Sequence, residues 1–446
     1  MMSTMPNFGL PRDLGDGLLL RWGTPEDVED VAAFNVRVHG DNPDEPEMWL
    51  DYWTRDLMHG RHPTTGPQDF TVVLDTRAEN QVVSSLVLIG QTWAYDGIPF
   101  GCGRPELIGT DPAYRRRGLV RAQMEAVHAK SAARGDWVQA ITGIPWYYRR
   151  FGYEMAMNLH GGREFFWARP GNAQTVEPEP YRLRPATEAD LPDLAGLYAV
   201  YCADHLVACL RTPATWRFEL LEAQRESVNT RHLHLITTPE DETVGYVEFR
   251  QWGAGFVVRE LAAQPGHSLR AVCLFLTRAL RRAAERLNPA RNEPLTNVSF
   301  ALGADSPVYT ALGRQLEKQR RPYAWYLRVP ALPGFLRHLA PALERRLAQS
   351  VAAGHSGTLR LNLYIQQISL VFAAGRLQEV GTFTPRQLEE GDALFPDLSF
   401  LQLLFGYRSF AELDEMFPDC YAENAETAVL LEALFPKRPS NLIPLA

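Results

Sequence analysis

The chain has 446 residues, of which 46% are hydrophobic and 22% charged, and its formal net charge is −8. The length exceeds one ordinary domain and predicts two or three. The negative balance argues against a general nucleic-acid binder, which needs a basic surface, and no apolar run reaches the roughly 18 residues of a membrane span.

The N-terminal MMSTMPNFGLPRDLGDG has no charged region followed by an apolar core, so no signal peptide is expected. The five scattered cysteines form no Cys-x-x-Cys pair, and no His/Cys cluster has zinc spacing. A reducing cytoplasm and no structural metal are therefore expected.

The first elements are a strand through Leu20 and a helix capped by Thr24, with Pro25 at its first position and Asp27 completing a capping-box-like pattern. Beyond that helix lie His39, Asp41, Asp44, Glu45, Glu47, Trp49, Asp51 and Trp53. Acidic and aromatic side chains together suit a cationic amine, through charge and ring-face attraction; a solvated acidic loop has the same composition.

Further on, Glu106-Leu-Ile-Gly-Thr-Asp-Pro-Ala-Tyr-Arg-Arg-Arg-Gly-Leu-Val-Arg121 reads as a short strand ending at Asp111-Pro112, three arginines, a glycine, and a helix from about Gly118 to Arg134. Free N–H groups at a helix start, the helix dipole and a glycine that admits close approach together make a pyrophosphate site. The phosphate loop Gly-x-x-x-x-Gly-Lys-[Ser/Thr] is absent, and so is a Gly-x-Gly-x-x-Gly turn at this place. What remains is Arg-x-x-Gly-x-[small], followed about 30 residues later by Ile141-Thr-Gly-Ile-Pro-Trp-Tyr-Tyr-Arg-Arg-Phe-Gly-Tyr-Glu154.

The chain then repeats itself. Leu20-Arg-Trp-Gly-Thr24-Pro-Glu-Asp27 and Leu183-Arg-Pro-Ala-Thr187-Glu-Ala-Asp190 share a register, and Tyr148-Arg-Arg-Phe151-Gly152 is echoed by Tyr309-Thr-Ala-Leu312-Gly313. The second half repeats the strand, proline and long helix, here from about Leu269 to Leu287, but reads Pro265-Gly-His-Ser-Leu-Arg270-Ala271 where the first has its arginines and Gly118. Its phosphate cradle is therefore expected to be degraded.

From about residue 331 the pattern changes. Helix is expected over Ala342–Ala352, strands over Gly357–Tyr364 and Ile368–Ala373, and helices over Pro385–Gly391, Leu398–Phe405, Phe410–Met416 and Ala425–Phe435. The apolar tail to Ala446 reads as a docked terminus.

The two motifs of the first half resemble those of the GNAT N-acetyltransferases, with Val120 standing where that family usually has glycine or alanine. The wider arrangement looks like the Eis-type acetyltransferases. The resemblance implies an α/β (α+β) chain of two tandem GNAT folds, the second degenerate, and a C-terminal sterol-carrier-like domain, over 1–170, 171–330 and 331–446. It implies acetyl-CoA as cosubstrate, a small-molecule primary amine as acceptor, direct attack in a ternary complex, and no metal. It further implies that Ile108, Gly109 and Thr110 hold the pantetheine arm and thioester, and that Arg115, Arg116, Arg117, Gly118 and Leu119 hold the pyrophosphate, mainly through peptide N–H groups.

In the same pattern Tyr148 aligns with the general acid, with Tyr147 its neighbour one residue away. The base is either the C-terminal carboxylate of Ala446 or Glu106, which alternation places on the face of Ile108. The acceptor residues are expected among His39, Asp41, Glu45 and Trp49. Eis-type relatives assemble as hexamers, so a homo-oligomer is in view. The other class of function in view is a non-catalytic module that senses acetyl-CoA or binds a lipid or partner through the third domain.

Overall fold

A computed structural model describes residues 8–40, 42, 44–172, 175–227 and 230–443. The first half runs Arg12–Asp13 (β1), Leu18–Trp22 (β2), Val28–His39 (α1), Trp49–Met58 (α2), Phe70–Asp75 (β3), Gln81–Tyr95 (β4), Ile98–Thr110 (β5), Leu119–Arg134 (α3), Val138–Ile141 (β6), Glu154–Leu159 (β7) and Gly162–Phe166 (β8). The second runs Arg182–Pro185 (β9), Leu191–Ala203 (α4), Val207–Leu210 (β10), Pro213–Arg217 (α5), Leu233–Thr237 (β11), Thr243–Trp252 (β12), Gly255–Ala263 (β13), Leu269–Leu287 (α6), Asn297–Phe300 (β14), Pro307–Leu312 (α7), Glu317–Arg320 (β15) and Tyr323–Arg328 (β16).

The repeat in the sequence is a repeat in the structure. The Arg21 guanidinium donates to both Asp27 carboxylate oxygens, at 2.7 and 2.6 Å, and the Thr24 amide donates to the same carboxylate at 2.7 Å. Arg184, Asp190 and Thr187 repeat this at 2.8, 2.8 and 2.8 Å. In each copy an acid three residues past a threonine satisfies the orphan amide of a helix start, and an arginine from the preceding strand fixes the acid.

Each half also contains one parallel pair in an otherwise antiparallel sheet. β5 pairs parallel with β6 only at Cys102 and Gly103, and β13 pairs parallel with β14 from Gly255 to Val258. Beyond these residues β5 runs on to Thr110 and β13 to Ala263, so each sheet splays open beside its long helix.

The halves exchange strands. The first sheet is ordered β1-β2-β3-β4-β5-β6-β16-β7, with β10 on β4, and the second is β15-β8-β14-β13-β12-β11-β9. Thus β8 is hydrogen bonded in the second sheet, while β10 and β16 complete the first. These ladders join strands on either side of a linear division at 170/171.

The remainder adds helices Leu332–His338 (α8) and Ala340–Ala348 (α9) and a five-stranded sheet of Gly357–Asn362 (β17), Gln367–Ala373 (β18), Arg376–Gly381 (β19), Ala393–Leu394 (β20) and Tyr421–Ala422 (β21). Three further helices are Phe400–Leu404 (α10), Phe410–Met416 (α11) and Ala425–Leu434 (α12). The helix expected over Pro385–Gly391 is a turn. The Asn362 side-chain amide donates to the carbonyls of Leu388 and Glu390 at 2.8 and 3.1 Å, which holds the turn. The apolar runs of β17 and β18 are consumed by packing: Leu359, Leu361, Ile368, Leu370 and Phe372 share one core with Trp93, Tyr95, Phe100 and Trp325 of the first sheet. Among the described residues no helix is long and apolar enough to cross a membrane, and no group of three or more metal-ligating side chains occurs.

Candidate active site

The site grows from a defect in β5. Opposite Ser85 and Val87 the register of β5 slips, and Leu107 sits at φ 49°. A non-glycine residue in the left-handed region marks a bulge that kinks the strand. The kink turns Leu107 into the core beneath α1 and α2, while Ile108 packs toward the side that holds Tyr148.

After Thr110 the Asp111 carboxylate accepts from Ala113 N at 3.0 Å and shapes the Pro112–Tyr114 turn. Arg116 and Gly118 both have positive φ, 67° and 78°. The first α3 bond runs from Ala122 N to Gly118 O at 3.1 Å, so the amides of Leu119, Val120 and Arg121 have no carbonyl one turn back. A side chain on Gly118 would meet no atom within 4 Å, which leaves the approach to these amides open.

A cleft of about 560 Å³ lies here, between α1, the end of β5, the start of α3 and the segment after β6. His39, Ile108, Gly109, Thr110, Arg115, Arg116, Gly118 and Leu119 line it. Arg117 is not in its wall: its guanidinium lies 5.1 Å from the centre of the Tyr114 ring. Val120 is in the wall, as are Tyr147, Arg150 and Phe151.

Tyr147, not Tyr148, presents itself to the cleft. Tyr148 is 3% exposed, packed edge-on to Tyr147 at 5.2 Å and to Tyr326 at 5.6 Å. Among the described residues its hydroxyl has no hydrogen-bond partner. Burial, with the Glu106 charge nearby, raises its pKa and keeps the phenol protonated through neutral pH. Glu106 is ion-paired with Arg104, a guanidinium fully out of solvent that lies 5.1 Å from the centre of the Trp325 ring. Burial lifts the Glu106 carboxyl above its ordinary range, against the pull of Arg104. Arg104 stands two residues from Glu106, so strand alternation alone could have paired them. Trp325 and Tyr326 arrive on β16 and carry no signal in the first half of the sequence.

The acceptor residues separate. His39 lines the cofactor-sized cleft. Trp49 and Glu47 line a different cavity, of about 850 Å³, against Arg250 and Trp252 of the second sheet. Glu45 is exposed on the intervening loop, and Asp41 lies outside the described residues.

The tail is docked as far as it is described. Leu206 N donates to Pro439 O at 2.9 Å, Val207 N to Ser440 Oγ at 3.0 Å, and Trp325 Nε1 to Leu442 O at 3.1 Å. Ala446 lies outside the described residues.

The second half closes the corresponding features. At the start of α6 the Ser268 hydroxyl accepts from Ala271 N at 3.3 Å, occupying a donor that α3 leaves open. Arg270 is engaged by Ala311 O and by Gln315, at 3.0 Å. The Tyr309 hydroxyl accepts from Leu302 N at 3.2 Å and lies 3.1 and 2.9 Å from the carbonyls of Phe300 and Gly303.

Residues 20–156 match the acetyltransferase (GNAT) domain family. Over the whole chain the fold is similar to solved structures. A GCN5-related N-acetyltransferase from Anabaena variabilis has TM-score 0.65 at 16% identity, covering 95% of this chain and 99% of that one. One from Kribbella flavida has TM-score 0.65 at 19% identity, covering 96% and 98%. Eis1 from Mycobacterium abscessus has TM-score 0.59 at 17% identity, covering 95% and 99%. Curated protein sequences give no match. The splayed β5 and the uncapped start of α3 both lie within the stretch that matches the acetyltransferase (GNAT) domain family, so this part of the chain is similar to acetyltransferase domains.

Proposed function

We propose that the chain transfers the acetyl group of acetyl-CoA to a primary amine of a small molecule, by direct attack within a ternary complex. The carrying observation is the uncapped start of α3, held open by Gly118 beside the splayed end of β5. Peptide N–H groups from Arg115 to Leu119 would take the pyrophosphate, with the helix dipole adding to the attraction. The backbone of Ile108, Gly109 and Thr110 would hold the pantetheine arm and the thioester.

In the reaction the amine nitrogen attacks the thioester carbon, the C–N bond forms and the C–S bond breaks. The leaving thiolate takes a phenol proton, from Tyr148, which the family pattern aligns with the acid, or from Tyr147, which lines the cleft, and the amine proton passes to a carboxylate. Glu106 is the base within the described residues, and its raised pKa suits that role. The Ala446 carboxylate is the other reading, supported by a tail docked as far as Ile443. Glu47 and Trp49, in the cavity of about 850 Å³, pair an acidic with an aromatic group of the kind that suits a cation. The five cysteines are all free, in keeping with a cytoplasmic setting.

Calorimetric titration with acetyl-CoA, followed by turnover with polyamines and aminoglycosides, tests the reading. Binding that vanishes in Gly118→Glu and turnover that vanishes in Tyr148→Phe support it. No heat with the wild type, or equal heat with Gly118→Glu, rejects it.

A further inference from the structure

The last residue of α1 touches the kinked strand at two points. His39 faces the Leu107 backbone, which favours a proton on its ring, at the residue whose positive φ makes the bulge. Its Nε2 lies 3.0 Å from where a Cβ on Gly109 would stand. Val38 and Phe34 press on the same place, at 3.0 and 3.2 Å, so a side chain at 109 would have to push these neighbours on α1 back.

Nε2 is buried and, among the described residues, has no hydrogen-bond partner, although the ring lines the cleft. With Nε2 turned to the cleft, Nδ1 is the ring nitrogen left to face the Leu107 carbonyl. A proton on Nδ1 facing that carbonyl fixes the tautomer and leaves a lone pair on Nε2. A buried acceptor without a donor is costly, and an N–H supplied by a ligand would remove that cost. Burial also holds the imidazole below its ordinary pKa, hence neutral at pH 7.

We propose that His39 is a catalytic residue whose Nε2 accepts an N–H of the attacking amine, leaving the amine lone pair directed at the thioester carbon beside Gly109. This rests on the acyl-transfer reading of the same cleft. The Leu107 carbonyl supplies the orientation, so the kink in β5 serves both partners: it opens the strand for the thioester and fixes the ring that receives the amine. The surplus proton still leaves to the carboxylate, and the thiolate is still protonated by the phenol.

The test uses the full chain labelled with ¹⁵N-histidine, together with His39→Asn and His39→Gln. Asparagine can keep the donor to Leu107 but has nothing at Nε2, whereas the longer glutamine can place a polar atom there. The wild-type ring is expected to be neutral, with Nδ1 protonated and Nε2 bare. Both variants are expected to bind acetyl-CoA within about 3-fold of wild type by calorimetry. With saturating acetyl-CoA and hydroxylamine as a small probe nucleophile, His39→Asn should lose about 100-fold in kcat and His39→Gln should recover part of it. A protonated Nε2, or unchanged turnover in His39→Asn with acetyl-CoA binding intact, overturns the assignment alone. A wild type that neither binds acetyl-CoA nor transfers to hydroxylamine overturns the acyl-transfer reading, and this assignment with it.

Discussion

The indole Nε1 of Trp325 donates to the carbonyl of Leu442 at 3.1 Å, tying a strand of the first sheet to the end of the chain. The same ring lies against Arg104, which is paired with Glu106, whose charge is felt by Tyr148. The tail and the proposed acid are thus joined through three intervening side chains. Removing residues 444–446 should leave thermal stability nearly unchanged, because the described anchors end at Ile443. Removing everything after Lys437 should lower it sharply, since the bonds from Leu206, Val207 and Trp325 all go. If the short truncation also removes turnover, the base is the Ala446 carboxylate. If turnover survives it and fails in Glu106→Gln, the base is Glu106. Thermal melts and steady-state rates on the three variants decide.

The two echoed tyrosines should behave oppositely. Tyr148→Phe removes a hydroxyl with no partner among the described residues, so stability should barely change while kcat falls by about 10²–10⁴-fold, the usual weight of a general acid. Tyr309→Phe strips a donor and an acceptor from buried backbone groups and should cost about 1–3 kcal/mol of stability, with kcat intact. Denaturant melts and kcat on both variants give the comparison.

Gly118→Glu puts a carboxylate in front of the free amides of α3, at a residue with φ 78°. A non-glycine residue in that region costs about 1–2 kcal/mol, and the added charge repels a pyrophosphate. Acetyl-CoA affinity should fall by about 100-fold or more, roughly 2.7 kcal/mol, as read by calorimetry. Ala271→Gly in the second half should gain no such binding, because the Ser268 hydroxyl already holds that helix start.

Asp27 and Asp190 should contribute to acid sensitivity in parallel. Each carboxylate is held below its ordinary pKa, Asp190 first by its hydrogen bonds from Arg184, and Asp27 by Arg21 and the Thr24 amide against the cost of burial. A depressed folded pKa means stability that is present above the unfolded value near 3.9 and is lost as pH falls through the folded one. Melting temperature between about pH 5 and 2 should therefore fall less steeply in Asp27→Asn and Asp190→Asn than in wild type, from a lower starting point. Equal slopes would contradict the pairing.

The features legible in the sequence are those whose partners lie close along the chain. The Thr24–Asp27 and Thr187–Asp190 pairs are three residues apart, and the helix expected from about Leu269 to Leu287 spans those residues. The uncapped start of α3 follows from Gly118 and the absence of a serine or threonine before it. Strand exchange was not legible, because pairing β16 with β6 joins Tyr326 to Ile141 and no local pattern encodes that register. The same distance explains why Trp325 and Tyr326 were missed beside Glu106 and Tyr148. Trp49, near His39 in sequence, faces the second sheet: α1 ends at His39 and α2 begins at Trp49, so the segment between them carries the chain to another place.

The insertion of β16 between β6 and β7 has a consequence for biosynthesis. During translation the first sheet lacks the strand between β6 and β7 until residues 323–328 leave the ribosome, well after the proposed catalytic segment has emerged. Until then β6 and β7 present open backbone edges of the kind that invite aggregation. A gene fragment ending near residue 170 should therefore yield insoluble product, whereas co-expressing 171–446 from a second reading frame should rescue it by supplying the missing strand in trans.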